Sequence, residues 1–258
     1  VNLIDDAALT SDSQLATLPA ENVQNAHLST RWRTAGVTTA YLDADFLSSV
    51  AIGVIAVLGT NLTSGATIRI RLSNTAPSTG DLLDTGVISA GVSNAYRNAF
   101  YIPSTPITAR YMRIDLVDAN AVNPQTGTGV AGFLEVGRVV AAPVFRPTIN
   151  FSYGWGPGWV DPSRKTRSEN GQLYIDRVPR FRVLNFTLDA LSEAEALGQI
   201  FELDRVVGAS ADILAIADPG STYQSESAIW GPVAAMSAVF NPAFDDRWAK
   251  TYTIEERL

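Results

Sequence analysis

With 258 residues, 46% of them hydrophobic and 17% charged, the chain has the composition of an ordered globular protein made of one large or two medium domains. Its net charge of -7 weighs against nucleic acid as the main partner, because a phosphate-binding surface shows as a basic excess. The absence of cysteine excludes disulfides, thiolate metal sites and cysteine nucleophiles, and a single histidine, His27, excludes metal centres built on several imidazoles.

The chain starts Val1-Asn2-Leu3-Ile4-Asp5-Asp6, with neither the basic nor the apolar region of a signal peptide. No run of about 18 apolar residues follows, so the expectation is a soluble protein without membrane insertion. His27 stands beside no serine nucleophile motif and reads as an ordinary histidine. Asp43 and Asp45 end a short strand before Phe46; they read as solvated carboxylates, or with loop oxygens as part of a calcium site, for which two ligands are too few. Val50 to Leu58 is apolar on both faces and predicts one central strand. Asn61-Leu62-Thr63 fits the glycosylation acceptor triplet, a pattern common by chance, and is set aside.

Ala66 to Ser73 alternates apolar Ala66, Ile68, Ile70 and Leu72 with polar neighbours, as a strand with one dry face does. Met112, Ile114 and Leu116 repeat the pattern. Turn-rich segments 74–80 and 118–129 read as surface loops. After the apolar segment 133–140 the pattern changes near Ala141-Ala142-Pro143, which predicts domains 1–142 and 143–258. Lys and Arg number 8 against 11 Asp and Glu in the first, and 11 against 15 in the second, so neither is a basic module.

In the second half, Gly154-Trp155-Gly156-Pro157-Gly158-Trp159 lacks the strand-to-helix setting of a dinucleotide fingerprint, and its glycines read as tight turns. Trp155 and Trp159 suit a core or interface anchor, or a sugar-stacking platform. Arg164, Lys165, Arg167, Arg177, Arg180 and Arg182 form a basic cluster. In a monomer it is a solvated loop and strand edge; in an assembly its guanidinium forks can meet a neighbour's carboxylates. Strands are predicted over 181–188, 213–217, 234–240 and 248–255. One helix is predicted over 192–207, with a Ser192/Glu195 capping box, a Gly208 C-cap and Leu197, Ile200, Phe201 and Val207 on its buried face. Its Glu193, Glu195, Glu202 and Asp204 offer an acidic complement to the basic cluster. The carboxylate pairs Asp245/Asp246 and Glu255/Glu256 read as solvated, since a glycosidase needs two such groups facing one bond across a cleft.

Trp32-Arg33-Thr34, the apolar strand, Gly59 to Thr63, Ala66 to Ser73, Ala109 to Leu116 and the closing segment 132–140 together resemble the discoidin-like galactose-binding modules, over about residues 8–142. The family's usual disulfide cysteines are missing. This resemblance implies a jelly-roll β-sandwich whose end loops bind carbohydrate or serve adhesion. Arg167 to Gly171, the strand 180–188, the capped helix, Asp218-Pro219, Trp230-Gly231 and the last strand resemble the minor and distal tail proteins of long-tailed bacteriophages. That resemblance implies a tail-tube-like β-sandwich with one flanking helix that builds rings.

The chain is thus expected to be mainly β and non-enzymatic, without cofactor or metal. The leading reading is a virion structural protein of a tail tip or baseplate, made in the host cytoplasm. Its partners would be copies of itself in a ring, other phage tail proteins and a host surface glycan. Trp155, Trp159, Arg164, Lys165, Arg167 and Arg177 form its expected assembly interface. The alternative is a free-standing lectin-like protein, and a glycan-cleaving tail enzyme is the third reading.

Overall fold

The computed structural model describes residues 1–242 and 247–258, and the chain divides into two compact units, Val1–Val144 and Phe145–Leu258. Both are mainly β.

In unit 1 the strands are β1 (Ala8–Ser11), β2 (Trp32–Arg33), β3 (Thr39–Ile52), β4 (Val54–Leu58), β5 (Thr67–Ser73), β6 (Leu83–Asp84), β7 (Ile88–Ser89), β8 (Ala99–Tyr101), β9 (Ile107–Val117), β10 (Glu135–Val136) and β11 (Arg138–Ala142). One sheet runs β1-β3-β9-β5-β6, with β7 also on β5; a second runs β11-β4-β8, and β10 pairs with β2. Successive long strands pass from one sheet to the other. This is the alternation of a jelly-roll sandwich. Ile68, Ile70 and Leu72 of β5 and Met112, Ile114 and Leu116 of β9 are buried in one core shared with Ile55 and Val57 of β4 and Val139 and Ala141 of β11.

The polar alternates of that larger sheet pair across strands. Asp43 takes both forks of Arg113 at 2.5 Å, Asp45 takes Arg110 at 2.9 Å, and Asp115 takes Arg71 at 2.8 Å. Asp43 and Asp45 are therefore not solvated carboxylates waiting for an ion. Cross-strand register sets Asp43 opposite Arg113 and Asp115 diagonal to Arg71, while Asp45, opposite Tyr111, meets the adjacent Arg110 where the register shifts; that hydrogen bond holds Asp45 below the usual carboxylate pKa.

The predicted central strand 50–58 is two strands. Val50 to Ile52 end β3, and at Gly53 the chain crosses to the other sheet and starts β4. A Cβ at Gly53 would lie 2.5 Å from Val144 Cγ1, so the crossing is closed by the unit's last residue. β4 itself is buried at every position, as its doubly apolar pattern requires.

Unit 2 contains β12 (Gly156–Val160), β13 (Arg164–Arg167), β14 (Leu173–Asp176), β15 (Phe181–Leu191), β16 (Asp212–Ala215), β17 (Ile229–Pro232) and β18 (Trp248–Glu255). β12-β15-β18 form its main sheet, and β13-β14 and β16-β17 are two-stranded. Leu184, Leu188, Tyr252 and Ile254 from the sheet pack with Ala196, Ile200, Ile229 and Val233. The glycine-rich 154–159 segment is not only turns, because Gly156–Val160 pairs with β15 as an edge strand. The predicted strand 234–240 is reduced to isolated bridges at its ends, Val233 to Ile254 and Phe240 to Ala249.

The predicted helix is present with its capping box and with Gly208 at φ 57° as its C-cap. It begins as an α-helix over Glu193–Glu195, passes through a π-turn over Ala196–Ile200 and ends as an α-helix over Phe201–Val207. Ala196, Ile200 and Val207 are buried, whereas Leu197 and Phe201 are exposed. The inward face thus sits one residue away from the expected i, i+4 pair.

Candidate functional site

The expected assembly residues fall on an exposed part of unit 2. Trp159 is 60% exposed on the edge strand β12, and Trp155 packs edge-on against Phe151 with ring centroids 4.9 Å apart. Arg164, Lys165 and Arg167 lie on β13 of a hairpin in which every strand residue of β13 and β14 is exposed. Arg177 and Arg180 are exposed beside it. Arg182 leaves the cluster: it is buried, bonded to Glu256 at 2.9 and 2.5 Å and to the carbonyls of Ser225 and Glu226. Glu256 is accordingly not solvated, because it neutralises that guanidinium.

The acidic complement is largely committed within the unit. Glu195 accepts from Thr148 N at 2.7 Å and Ser192 N at 2.9 Å, and these backbone bonds hold its pKa down to about 2. Asp204 takes Lys250 and Tyr252, and Glu202 takes Arg205. The Asp245/Asp246 pair lies outside the described residues. His27 is exposed. Among the described residues no cluster of three or more His, Asp or Glu side chains is arranged to hold a metal ion, and no helix is long and apolar enough to cross a membrane.

The site that composition and spacing did not reveal lies in unit 1, at the sandwich end where β4 and β9 finish, opposite the end where β11 leaves. Its anchor is Glu135, the first residue of β10 and buried. Glu135 Oε2 accepts from Arg31 Nη1 at 3.0 Å, and Oε1 accepts from Arg33 Nε at 2.5 Å. The Arg33 guanidinium also lies 4.4 Å from the centre of the Phe133 ring.

Asn61 ties this anchor to the loops. Its side-chain oxygen accepts from Glu135 N at 2.8 Å, and its amide donates to the carbonyls of Val122 and Phe133 at 3.1 and 2.9 Å. An amide so engaged and buried is no glycosylation acceptor. Next to it, Thr60 donates its hydroxyl to the Arg97 carbonyl at 2.6 Å, and Arg97 Nη1 donates to the Leu62 carbonyl at 2.9 Å. Arg97 has φ 51°, a left-handed conformation that costs a non-glycine residue free energy and persists because these bonds over-determine it.

Between these groups opens a cavity of about 180 Å³ lined by Arg31, Thr60, Asn61, Arg97, Val122, Pro124 and Gly127. Arg31 and Arg97 each commit one nitrogen to the protein as described, out of five N–H donors apiece. The pocket is therefore rigid in its walls and rich in donors.

No protein-family model matches the chain, and no curated protein does. Among solved structures, a family 32 carbohydrate-binding module from C. perfringens in complex with galactose is similar at 15% identity and a TM-score of 0.42, covering 54% of this chain and 96% of its own. The lectin domain of lectinolysin complexed with Lewis B antigen is similar at 11% identity and a TM-score of 0.41, covering 56% and 98%. A Streptococcus pneumoniae fucose-binding module is similar at 10% identity and a TM-score of 0.40, covering 56% and 99%. None of these three is a phage tail protein.

Proposed function

We propose that unit 1 is a glycan-binding module of lectin type and that the Arg31/Arg97 pocket is its site. The observation that carries the reading is a loop-end cavity whose walls are fixed by buried and part-buried hydrogen bonds while two guanidiniums keep donors in hand. Planar guanidinium forks suit the paired oxygens of a sugar ring, and groups already held by the protein lose little freedom when a ligand arrives. The cavity is well below the roughly 300–1,000 Å³ of drug-sized pockets, which suits a single ring at a chain end. The unit would bind without chemistry.

The test is a glycan array followed by isothermal titration with the intact chain. Arg97→Asn is the informative variant, because asparagine tolerates the left-handed backbone that Arg97 adopts. The expected result is binding of at least one sugar and at least a tenfold loss in Arg97→Asn. Absence of any bound sugar, or undiminished binding by both Arg97→Asn and Arg31→Gln, would overturn the reading.

A second reading concerns unit 2 and rests on the solvated hairpin β13-β14, which exposes Leu173, Tyr174 and Ile175 together with Arg164, Lys165 and Arg167. Two-stranded hairpins are marginal alone, and exposed apolar residues on both faces favour a covering partner. We propose a second copy of the chain as that partner, received on the exposed Leu197 and Phe201 beside Glu193 of the helical run. Apolar contact would supply the affinity and the opposite charges the register. Such a head-to-tail contact closes into a ring when its rotation allows, which is how a tail-tip protein would use it.

Light scattering should then find wild-type oligomers, weakened more by Tyr174→Ala than by Arg164→Ala. A hairpin-shortened chain and a Phe201→Glu chain, each monomeric alone, should form one-to-one pairs when mixed. Monomeric wild type at high concentration would remove this reading and leave the first untouched.

A further inference from the structure

We infer that the pocket selects sugars bearing a carboxylate, such as a uronic or a sialic acid unit, over neutral ones; the inference rests on the glycan-binding reading above. The side chains around the cavity hold more free donors than free acceptors. Asn61 is fully engaged, its oxygen by Glu135 N and its amide by two carbonyls, and the Thr60 hydroxyl is donated to Arg97 O. Both oxygens of Glu135 already face guanidiniums, and the nearby Asp118 takes both the N–H and the hydroxyl of Thr63. What the wall side chains still offer is N–H donors on Arg31 and Arg97.

A neutral sugar brings hydroxyls that must donate as well as accept, and buried donors without a partner lose affinity. A carboxylate brings acceptors alone and matches a guanidinium in a two-bond fork. Charge points the same way. Arg31 and Arg33 share the single negative charge of Glu135, and Arg97 has no acidic partner among its bonds, so the pocket is a positive spot on a chain of net charge -7. No aromatic side chain lines the cavity, so a sugar's ring face would meet only Val122 and Pro124 and recognition falls to the guanidiniums.

The experiment is isothermal titration of the intact chain with galacturonic acid, N-acetylneuraminic acid, galactose and acetate, at 20 mM and 500 mM salt. At least one acidic sugar should bind ten times or more tighter than galactose, with the difference shrinking at high salt. Arg97→Asn and Arg31→Gln, each checked by thermal melting for a folded unit 1, should lose that preference.

Galactose binding as tightly as both acids would overturn the inference and leave the glycan reading standing. Acetate binding as tightly as the acidic sugars would overturn both, since the pocket would then read a carboxylate without a ring. A preference that survives in both variants would put the acidic sugar elsewhere and also overturn the inference.

Discussion

Unit 1 carries most of its ion pairs on the solvent side of one sheet, whereas unit 2 encloses a lysine. Asp43, Asp45 and Asp115 meet their arginines over strands whose opposite face holds the core. Lys250, by contrast, is 0% exposed, bonded to Asp204 at 2.5 Å and to the Ser237 carbonyl at 2.5 Å, with its ammonium 4.9 Å from the centre of the Tyr252 ring. Burial, with the same Asp204 as partner, pushes the Tyr252 hydroxyl above its ordinary pKa. The difference teaches where each unit is vulnerable. A half-exposed pair such as Arg110–Asp45 lost from that sheet returns two groups to water, but Lys250 without Asp204 is a stranded charge.

Asp204→Ala should have the largest effect, lowering the stability of unit 2 by about 3–5 kcal/mol. Calorimetry should resolve it as a fall in one transition only, and equal movement of two transitions, or a single shared one, would break the comparison. Gly137→Ala should be the next largest and should act on unit 1. Its Cβ would lie 2.6 Å from the Leu28 carbonyl oxygen, so backbone must shift, at about 1–3 kcal/mol for such overpacking.

Acid sharpens the contrast through Glu195. Its folded pKa, about 2, lies below the ordinary 4.5, so its stabilising share is present above pH 4.5 and is lost as pH falls from there toward 2. Thermal melts between pH 5 and 2 should show unit 2 weakening in wild type, with a smaller slope in Glu195→Gln. The smallest effect belongs to the exposed pair Arg69–Asp84 of unit 1, where Arg69→Ala should leave the melting temperature unresolved from wild type at 150 mM salt.

Local patterns carried much of the fold. The alternation of Ala66 to Ser73, the Met112 to Leu116 repeat and the Ser192/Glu195 box each follow from a few neighbouring residues, and strands and helix stand there. The break at Gly53 was not legible, because the residue that crowds its Cβ position is Val144, 91 positions away. The hairpin β13-β14 escaped for the opposite reason: with both faces exposed it has no buried period to read. Leu197 and Phe201 misled because side-chain size pointed to them, whereas the small Ala196 takes the inward position with Ile200 and Val207. The pocket depends on three loops and on a left-handed Arg97, none of which leaves a mark in spacing. The Asp43 and Asp45 pairs were hidden likewise, since the neighbouring strand β9, not sequence neighbourhood, supplies their arginines.

Asn2 joins the two ends of unit 1. Its amide donates to the Val139 carbonyl at 3.0 Å, and its side-chain oxygen accepts from Ala141 N at 2.9 Å, so the first and last segments of the unit run side by side. A body whose two ends share one doorway can be spliced as a cassette into a surface turn of an unrelated host, with little loop-closure entropy lost in bridging the gap. The same adjacency permits its ends to be joined by a short linker and reopened elsewhere, for instance within the exposed turn 125–129, yielding a permuted gene for the same sandwich.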